Sequence, residues 1–311
     1  MTPPVIYGLI GYPARHSLSP AMHNAAFKVL GISAEYRLFE VKPEDLEGFL
    51  LNKDFLAKDI EGNSIYAKDI VGFNITIPHK VKAREILEES FPFEYKNLIL
   101  RDLYYVKLSG AVNTVKRDSD GLKYWNTDVA GFLESLRNVL DFETKNKNAL
   151  LIGCGGAGRA VIAALSWKQA QVEKIYITDI KVEVMEAAKK YFLQLPQSSY
   201  LEDKLEFISR EQIPDKIKDA QLLVNATPIG MKEGDGSVVD KSLLHKDLFV
   251  YDLVYNRETQ LIKDAKSKGL NTTSGEGMLL YQGVEAFEFW TAQKAPVDTM
   301  RQALNEAINK S

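Results

Sequence analysis

The sequence predicts an α/β fold in which helices pack on mostly parallel sheets, and three observations support it. Hydrophobic runs of strand length alternate with segments of helical periodicity along the whole chain. A buried strand, residues 149–152, runs directly into a G-x-G-x-x-G pattern that opens a helical segment. The 311 residues are 45% hydrophobic, which is enough for one large core or two ordinary ones. Disordered, collagen-like and mini-protein folds are therefore excluded.

Charge and cysteine usage narrow the class of protein. The 39 basic and 42 acidic side chains leave a net charge of −3 with no basic stripe, so nucleic acid is not an expected partner. The single cysteine, Cys154, cannot close an intramolecular disulfide, and the four histidines give no metal-site spacing with it. No apolar stretch approaches the ~20 residues of a membrane helix, and no basic leader is present. We expect a cytoplasmic protein with no metal and no membrane partner.

The first half predicts two buried strands and a hairpin, at residues 5–10, 71–77 and 111–125. Ser19 is predicted to cap a helix whose first position is Pro20. Pro78 is predicted to open the next helix in its first turn. The hairpin is indicated by a polar Asp-Ser-Asp-Gly turn between its two strands.

The second half predicts a doubly wound domain. A helix with apolar residues at i, i+3, i+4 and i+7 begins at Val129, with Asn126, Thr127 and Asp128 as capping candidates. A polar stretch at 144–148 then leads into the second domain. Buried strands follow at residues 149–152, 175–178, 222–225 and 249–253, with a helix at 182–193 and a closing amphipathic helix near Met300.

The glycine pattern predicts a dinucleotide site. Gly153 permits a tight turn, Gly155 permits close approach of the backbone to a pyrophosphate, and Gly158 permits close packing of helix on strand. The N-terminus of the following helix offers free N–H groups and the positive end of its dipole. The alternative is a glycine-rich turn with no ligand.

Asp179 follows the next strand, about 20 residues beyond the glycine pattern, where a carboxylate accepts hydrogen bonds from ribose hydroxyls. A carboxylate there repels a 2′-phosphate, so we expect NAD to be preferred, with NADP possible. Two alternatives stay open, because Asp179 could only cap the following helix and Lys181 could attract a phosphate. Cys154 is interpreted as a small loop residue, since no histidine lies near it in sequence.

Further motifs lie in a fixed order over nearly the whole chain. They are GYPARHSLSP at 11–20 with His23-Asn24, NITIPHK at 74–80, GAVNT at 110–114, NTD at 126–128 with Gly131, the glycine loop, NATPIGM at 225–231, DLVY at 252–255, and GEGML at 275–279 with Gln282. With these residues in this order, the chain closely resembles the shikimate dehydrogenase family.

The resemblance implies an N-terminal α/β substrate domain plus a C-terminal Rossmann dinucleotide-binding domain, with a cleft between them. Residues 1–128 and 278–311 would form the substrate-binding catalytic domain, and residues 129–277 the NAD(P)-binding domain. The implied activity is hydride transfer between a nicotinamide cofactor and 3-dehydroshikimate or shikimate, in aromatic amino acid biosynthesis. The protein would be a monomer or a homodimer.

The resemblance also implies the site residues. Lys80 and Asp128 match the catalytic pair. The substrate-binding positions are matched by Ser17, Ser19, Asn74, Thr76, Asn113, Tyr255 and Gln282. The cofactor-binding positions are matched by Gly153, Gly155, Gly156, Ala157, Gly158, Asp179, Asn225, Thr227 and Gly275.

These residue types suit the chemistry. Hydride arriving at a ketone leaves alkoxide charge on oxygen, which a positioned cationic acid such as Lys80 neutralises. Taken alone, Lys80 would be a solvated helix lysine, and Asp128 and Ser19 would be helix caps. His16, His23 and His79 are interpreted as packing residues, because the family places no proton transfer on these positions.

The chain departs from the family's pattern after the second Rossmann strand. Typical NADP-using members carry Asn-Arg-Thr where this chain has Asp179-Ile180-Lys181, so the arginine that binds the 2′-phosphate is replaced by Ile180. Branches that oxidise quinate also lack this arginine, which keeps an NAD-dependent quinate/shikimate dehydrogenase as an alternative. Residues 51–71 and 84–109 are longer than usual, with no assigned role. A methyltransferase and a non-catalytic nicotinamide sensor are the alternatives from other classes.

Overall fold

The computed structural model describes residues 3–92, 100–195 and 198–310. The chain divides into two compact units, which we name unit 1 (Met1–Thr127 with Leu280–Ser311) and unit 2 (Asp128–Leu279). Among the described residues, no helix combines the length and the hydropathy that a membrane crossing needs. The predicted α/β fold is confirmed.

The first part of the chain alternates strands and helices. Its elements are β1 (Val5–Gly11), α1 (Ser19–Val29), β2 (Ala34–Glu40), α2 (Leu46–Leu51), β3 (Leu56–Lys58), β4 (Ser64–Tyr66), β5 (Ile70–Ile75), α3 (Lys80–Ser90), α4 (Leu100–Ser109), β6 (Thr114–Asp118) and β7 (Gly121–Trp125). The second part continues the alternation. Its elements are α5 (Thr127–Asn138), β8 (Asn148–Ile152), α6 (Gly156–Ser166), β9 (Lys174–Thr178), α7 (Val182–Leu193), α8 (Ser198–Lys204), β10 (Leu205–Phe207), α9 (Ile213–Lys216), β11 (Leu222–Asn225), β12 (Phe249–Asp252), α10 (Gln260–Ser267), β13 (Thr272–Ser274), α11 (Glu276–Thr291) and α12 (Val297–Ile308).

Unit 1 contains a five-stranded mixed sheet with the order β2-β1-β5-β6-β7. β1 is parallel to both of its neighbours, and β6 is antiparallel to both β5 and β7. The predicted hairpin is therefore confirmed. Because β1 and β5 are adjacent and parallel, the loops that follow them leave the sheet at the same edge.

The C-terminal segment completes the core of unit 1. The ring of Trp290 lies 5.4 Å from that of Tyr7, and its Nε1 donates to the carbonyl of Val115 at 2.9 Å. Phe287 packs at 5.4 Å from Phe27 of α1, and α12 contacts the same helix. Residues separated by most of the chain length therefore share one hydrophobic core.

Unit 2 contains a six-stranded sheet with the order β10-β9-β8-β11-β12-β13, in which every pair of neighbours is parallel. Numbered from β8, this is the 3-2-1-4-5-6 order of the Rossmann fold. The order reverses between β8 and β11, and ligands of such sheets bind outside the carboxyl ends of the strands at that point. The loops at 153–158 and 225–231 begin there.

Two predicted helix starts are wrong. α1 begins at Ser19 itself, with Leu18 at the N-cap and no side-chain cap. The N–H of Ser19 donates to Ser17 Oγ at 3.3 Å, so the chain enters the helix one residue earlier than predicted. Pro78 lies in a turn, and α3 begins at Lys80, because β5 ends at Ile75 and a turn closed by the His79 N–H and the Thr76 carbonyl follows. The predicted long segment at 84–109 lies partly outside the described residues, which omit 93–99.

Candidate active site

Two serines lie after the carboxyl end of β1. The Ser17 hydroxyl donates to Ser19 Oγ at 3.2 Å, and Ser19 is 3% exposed. The N–H of Ser17 donates to the carbonyl of Ala14, which fixes the loop between β1 and α1. The structure therefore brings these two predicted residues together as a hydroxyl pair.

A buried tyrosine connects the serine pair to β5. The Tyr36 hydroxyl donates to Asn74 Oδ1 at 2.7 Å, and Tyr36 is 2% exposed. Burial raises the pKa of the Tyr36 phenol, and a hydrogen bond with Ser19 opposes that rise. Tyr36 is thus the bridge between Ser19 and Asn74, and it remains a neutral hydrogen-bonding group.

The network continues to the start of α5. Asn74 Nδ2 donates to Thr114 Oγ1 at 2.9 Å and to the Asn113 carbonyl at 3.2 Å. Asn113 Oδ1 accepts from the N–H of Thr127 at 2.8 Å, and its Nδ2 donates to Thr127 Oγ1 at 3.0 Å. Because a backbone N–H can only donate, this contact fixes which end of the Asn113 amide faces Thr127.

Thr76 follows β5, and its methyl group faces the end of β1. A Cβ added at Gly11 would collide with Thr76 Cγ2, so the methyl group packs directly on the Gly11 backbone. Within residues 3–92, 100–195 and 198–310, the Thr76 hydroxyl has no hydrogen-bond partner. The half-buried hydroxyl is therefore free to bind a ligand.

Lys80 is positioned by backbone contacts at the start of α3. Its carbonyl accepts from the N–H of Val112 at 3.0 Å, which ties it to the strand segment that carries Asn113. The preceding residue, His79, is 1% exposed, and its Nε2 lies 2.7 Å from the carbonyl of Val41. Since a carbonyl only accepts, Nε2 carries the proton. Burial lowers the pKa of His79, and the hydrogen bond to Val41 opposes this in part.

The start of α5 carries the second predicted catalytic residue. Asp128 lies in the first turn of α5 and is 4% exposed. Asn126, a capping candidate, lies directly before α5, and its Nδ2 donates to Ser109 Oγ and to the Ala111 carbonyl, each at 2.9 Å. Gln282 is buried in the part of α11 that belongs to unit 1.

The glycine turn of unit 2 has the geometry of a dinucleotide loop. Gly153 has φ +99°, and a Cβ there would lie 2.7 Å from the backbone carbon of Ala226. A Cβ at Gly158 would collide with the carbonyl of Gly153, whereas a Cβ at Gly155 would meet nothing within 4 Å. Gly155 is the N-cap of α6 and has no side chain to cap it. The turn is therefore tight where protein packs on protein and open where a pyrophosphate approaches, so these residues fit a dinucleotide.

Asp179 lies beside this turn. Its Oδ2 accepts from the N–H of Cys154 at 2.8 Å, and its Oδ1 accepts from the N–H of Lys181 at 2.9 Å. Each carboxylate oxygen keeps further acceptor capacity. Burial, followed by the proximity of Asp179, raises the pKa of the Cys154 thiol to about 12. A buried thiol of this kind is unsuited to act as a nucleophile.

The loop after β11 contains two predicted cofactor residues. Asn225 Oδ1 accepts from the N–H and the Oγ1 of Thr227, at 3.0 and 2.7 Å. Asn225 Nδ2 donates to the Ile229 carbonyl at 3.1 Å and to Asp252 Oδ1 at 2.9 Å. The structure thus brings Asn225 and Thr227 together in one turn beside Gly153.

Two further predicted residues lie after β12 and β13. Tyr255 is half-buried, and burial raises the pKa of its phenol. Gly275 donates its N–H to the carbonyl of Val254 at 3.3 Å, and a Cβ there would collide with the Leu253 backbone. Gly275 is therefore needed for close packing beside the segment that carries Tyr255.

Sequence reasoning missed several members of these networks. Tyr36 and Thr114 reach Asn74 across the sheet, and no local spacing indicates such contacts. Thr127 was considered only as a cap. His79 was interpreted as a packing residue, although it anchors the start of α3. Its position directly before Lys80 was the one signal that could have indicated this.

A doubly wound parallel sheet whose first strand ends in this glycine turn is typical of a dinucleotide-binding Rossmann domain. Models for the shikimate dehydrogenase substrate binding domain and the shikimate 5'-dehydrogenase C-terminal domain match residues 9–92 and 275–304. The chain is 39% identical over 306 residues to the shikimate dehydrogenase (NADP(+)) of Methanopyrus kandleri, covering 97% of this chain and 96% of that protein. The chain belongs to the shikimate dehydrogenase family.

Solved structures agree with this assignment. A crystal structure of a shikimate dehydrogenase in complex with NADP+ has a TM-score of 0.78 and 33% identity, covering 98% of this chain and 96% of that chain. The Listeria monocytogenes shikimate 5-dehydrogenase in complex with shikimate and NAD has a TM-score of 0.77 and 29% identity, covering 98% and 97%. The quinate alternative is not favoured by the relatives' names.

Proposed function

We propose that this chain is a shikimate dehydrogenase, which interconverts shikimate and 3-dehydroshikimate by hydride transfer with a nicotinamide cofactor. One observation carries the proposal: a network of neutral hydrogen-bonding groups runs from Ser17 through Tyr36 and Asn74 to Thr127 in unit 1. Such groups suit a polyhydroxy acid, because each ring hydroxyl needs donors and acceptors once water is excluded. The names of the relatives support the same substrate.

In this proposal most substrate-binding residues lie in unit 1, whereas the cofactor-binding residues lie in unit 2, which also contains Tyr255 and Asp128. Ser17 and Ser19, with Tyr255, bind the substrate carboxylate. The ring hydroxyls are bound by Asn74, Thr76, Asn113 and Gln282. The free hydroxyl of Thr76 and the fixed amide of Asn113 are suited to this role, because both are oriented before substrate arrives.

Lys80 and Asp128 form the catalytic pair of the proposal. The bound cofactor supplies or accepts the hydride. Lys80 donates a proton to the oxygen on which alkoxide charge develops during reduction, and it takes the proton back during oxidation. Asp128 orients the Lys80 ammonium and stabilises its charge.

The cofactor site of the proposal combines the glycine turn with Asp179. Gly153, Gly155, Gly156, Ala157 and the N-terminus of α6 bind the pyrophosphate, while Asn225, Thr227 and Gly275 line the site further along. Asp179 accepts from the ribose hydroxyls, and Ile180 stands where an arginine would bind a 2′-phosphate. We therefore propose that NAD is preferred over NADP, although the curated relatives are named for NADP(+).

Initial-rate assays with NAD and NADP, each combined with shikimate and with quinate, test the function and both preferences. We expect the highest kcat/KM with shikimate and NAD. Equal or higher efficiency with NADP would contradict the cofactor preference alone. Higher efficiency with quinate would contradict the substrate, and no turnover in any combination would contradict the function.

Cytoplasmic location and a monomeric or homodimeric state belong to the same proposal. The single, buried Cys154 is compatible with a reducing compartment, because the chain uses no disulfide. Fractionation of cells and light scattering of the purified protein test these two points.

A further inference from the structure

Asp252, the last residue of β12, is a buried carboxylate that the proposed reaction does not use. It is 0% exposed, and among the described residues it has no ion-pair partner. Its Oδ1 accepts from Asn225 Nδ2 at 2.9 Å and from the N–H of Val254 at 3.0 Å. Its Oδ2 accepts from the Thr259 hydroxyl at 2.6 Å. Aspartate is rarely fully buried without a cation, so this one calls for an explanation.

The contact with Asp252 helps to fix the orientation of the Asn225 amide, together with the Thr227 N–H and the Ile229 carbonyl. An Asn amide can be rotated by half a turn with little change in shape, and only its partners distinguish the two orientations. Asp252 accepts at one end, so the Asn225 nitrogen faces β12 and its oxygen faces Thr227. Rotation of the amide would place two oxygens against each other and leave the Thr227 N–H without its acceptor. Burial raises the pKa of Asp252, and its three hydrogen bonds oppose that rise.

The turn that Asn225 fixes lies against the phosphate loop. The N–H of Ala226 donates to the Ile152 carbonyl at 2.8 Å, and the Gly153 backbone packs on Ala226. A displacement of the turn at 225–229 would therefore displace the Gly153 end of the loop, and with it the position of Gly155 two residues further on. Both lie where the strand order of the unit 2 sheet reverses.

We infer that Asp252 is a positioning residue of the dinucleotide site, and that it acts through Asn225 on the turn at 225–229. The inference rests on the proposed function, since it assigns Asp252 to the binding of the same cofactor. The contact with Thr259 serves a different purpose, because the Thr259 hydroxyl also caps α10 by accepting from the N–H of Ile262. Oδ1 of Asp252 therefore makes the contact that positions Asn225, whereas Oδ2 makes a contact that stabilises the fold near α10.

The test compares Asp252→Ala with Thr259→Val. For each variant, calorimetry gives the Kd for NADH and NADPH, thermal unfolding gives the melting temperature, and steady-state kinetics give the KM values for cofactor and shikimate. Asp252→Ala removes the contact with Asn225 and is expected to raise the cofactor Kd by about 10-fold, the effect of losing one hydrogen bond in a buried network. Thr259→Val keeps the methyl group that packs on Gly230 but removes the other contact of Asp252. It is expected to lower the melting temperature and leave the cofactor Kd within about twofold of the wild type.

If Asp252 acts through Asn225, the effects of Asp252→Ala and Asn225→Ala on the cofactor Kd should not add. In the Asn225→Ala background, Asp252→Ala is expected to cause no further rise in the cofactor Kd. Asp252→Asn keeps an oxygen for Asn225 and Val254 and is expected to restore near-wild-type binding. If Asp252→Ala fails to fold, Asp252→Ser replaces it, because a serine hydroxyl still accepts from the N–H two residues on but is too short to reach Asn225 as well.

An unchanged cofactor Kd in Asp252→Ala or Asp252→Ser, or a rise that adds fully to that of Asn225→Ala, would overturn the inference. An equal rise in Thr259→Val would overturn it too, since general loosening of the fold would then explain both. Wild-type protein that binds NADH but does not turn over shikimate would contradict the proposed function and leave this test intact.

Discussion

At the scale of single residues, the site depends on side chains whose partners are fixed before any ligand binds. The amides of Asn113 and Asn225 are each oriented by a contact that only one end of an amide can make. Tyr36 joins two segments that carry residues proposed to bind the substrate, Ser19 and Asn74. Preorganised neutral groups of this kind lower the entropy cost of binding a small polar substrate.

Lys80→Ala is expected to lower kcat by about 10²-fold or more with a small change in KM for shikimate, since general acid catalysis contributes at least that much. Lys82→Ala is the matched control, because Lys82 lies on the same helix, is exposed and, among the residues that the structure describes, forms an ion pair with Glu85 alone. Steady-state kinetics of both variants decide the point. Near-normal turnover in Lys80→Ala would remove Lys80 from the mechanism.

The burial of His23 predicts how the stability of the fold depends on pH. It is 0% exposed and stacks 4.4 Å from the Tyr36 ring, and within the described part of the chain neither of its nitrogens has a hydrogen-bond partner. Burial lowers its pKa from 6.5 to about 3. The unfolded chain therefore binds a proton that the folded chain does not, so this contribution to stability is complete above pH 6.5 and is lost as the pH falls towards about 3.

Between pH 6.5 and 5, His23→Phe is expected to lose stability less steeply than the wild type, by up to about 1.4 kcal/mol per pH unit. Denaturant unfolding across this range measures the difference. His79 has the same direction of shift and stays in both proteins, so it does not affect the comparison. Parallel pH profiles would show that His23 is not buried in its neutral form.

At the scale of elements, the sequence predicted what local chemistry determines and failed where distant contacts decide. The strands at 149–152 and 222–225 were predicted because strands buried on both faces are continuous apolar runs. β2 was not predicted, since the charged residues Glu35, Arg37 and Glu40 interrupt its apolar run. The cap assigned to Ser19 was wrong because its hydroxyl is engaged with Ser17 and Tyr36 instead.

The same limit applies to the candidate site. The positions of Gly153 and Gly158 follow from the motif, because steric requirements of a tight turn are local. The links from Tyr36 to Asn74 and from Asn225 to Asp252 join strands 38 and 27 residues apart in sequence. Only the sheet order brings such residues together, so a single sequence gives no signal for them.

The glycine turn yields a matched pair of variants. Gly155→Ala is expected to fold with an unchanged melting temperature, because its Cβ meets nothing within 4 Å, but to raise the cofactor Kd, because that space is where a pyrophosphate would approach. Gly158→Ala is expected to be destabilised directly by collision with Gly153. Thermal melts and NADH titrations separate the two effects. Normal cofactor binding by Gly155→Ala would mean that the open space has another use.

At the scale of the whole molecule, unit 1 is assembled from two distant segments, whereas unit 2 is continuous. Trp290 is central to this assembly, because its ring packs against Tyr7 and its Nε1 bonds to Val115. Its ring also fills the space that a side chain at Gly72 would need. The C-terminal segment is therefore part of the core that supports β1 and β5.

Trp290→Ala is expected to destabilise unit 1 by about 3–5 kcal/mol, the usual cost of deleting a buried tryptophan. Hydrogen exchange measured strand by strand checks this. Faster exchange is expected in β1, β5 and β6, with β8 and β11 unchanged, because those two strands belong to a separate core. Equal acceleration in both sheets would show that the two units do not unfold separately.

Hydride transfer from shikimate is the central claim, and isotope tracing tests it most directly. Shikimate that carries deuterium on the carbon to be oxidised is incubated with the wild-type protein and NAD or NADP, and the reduced cofactor is analysed by mass spectrometry. We predict one deuterium on the nicotinamide ring of each molecule formed, and no label from deuterated water. Reduced cofactor without label, or none formed at all, would contradict the account.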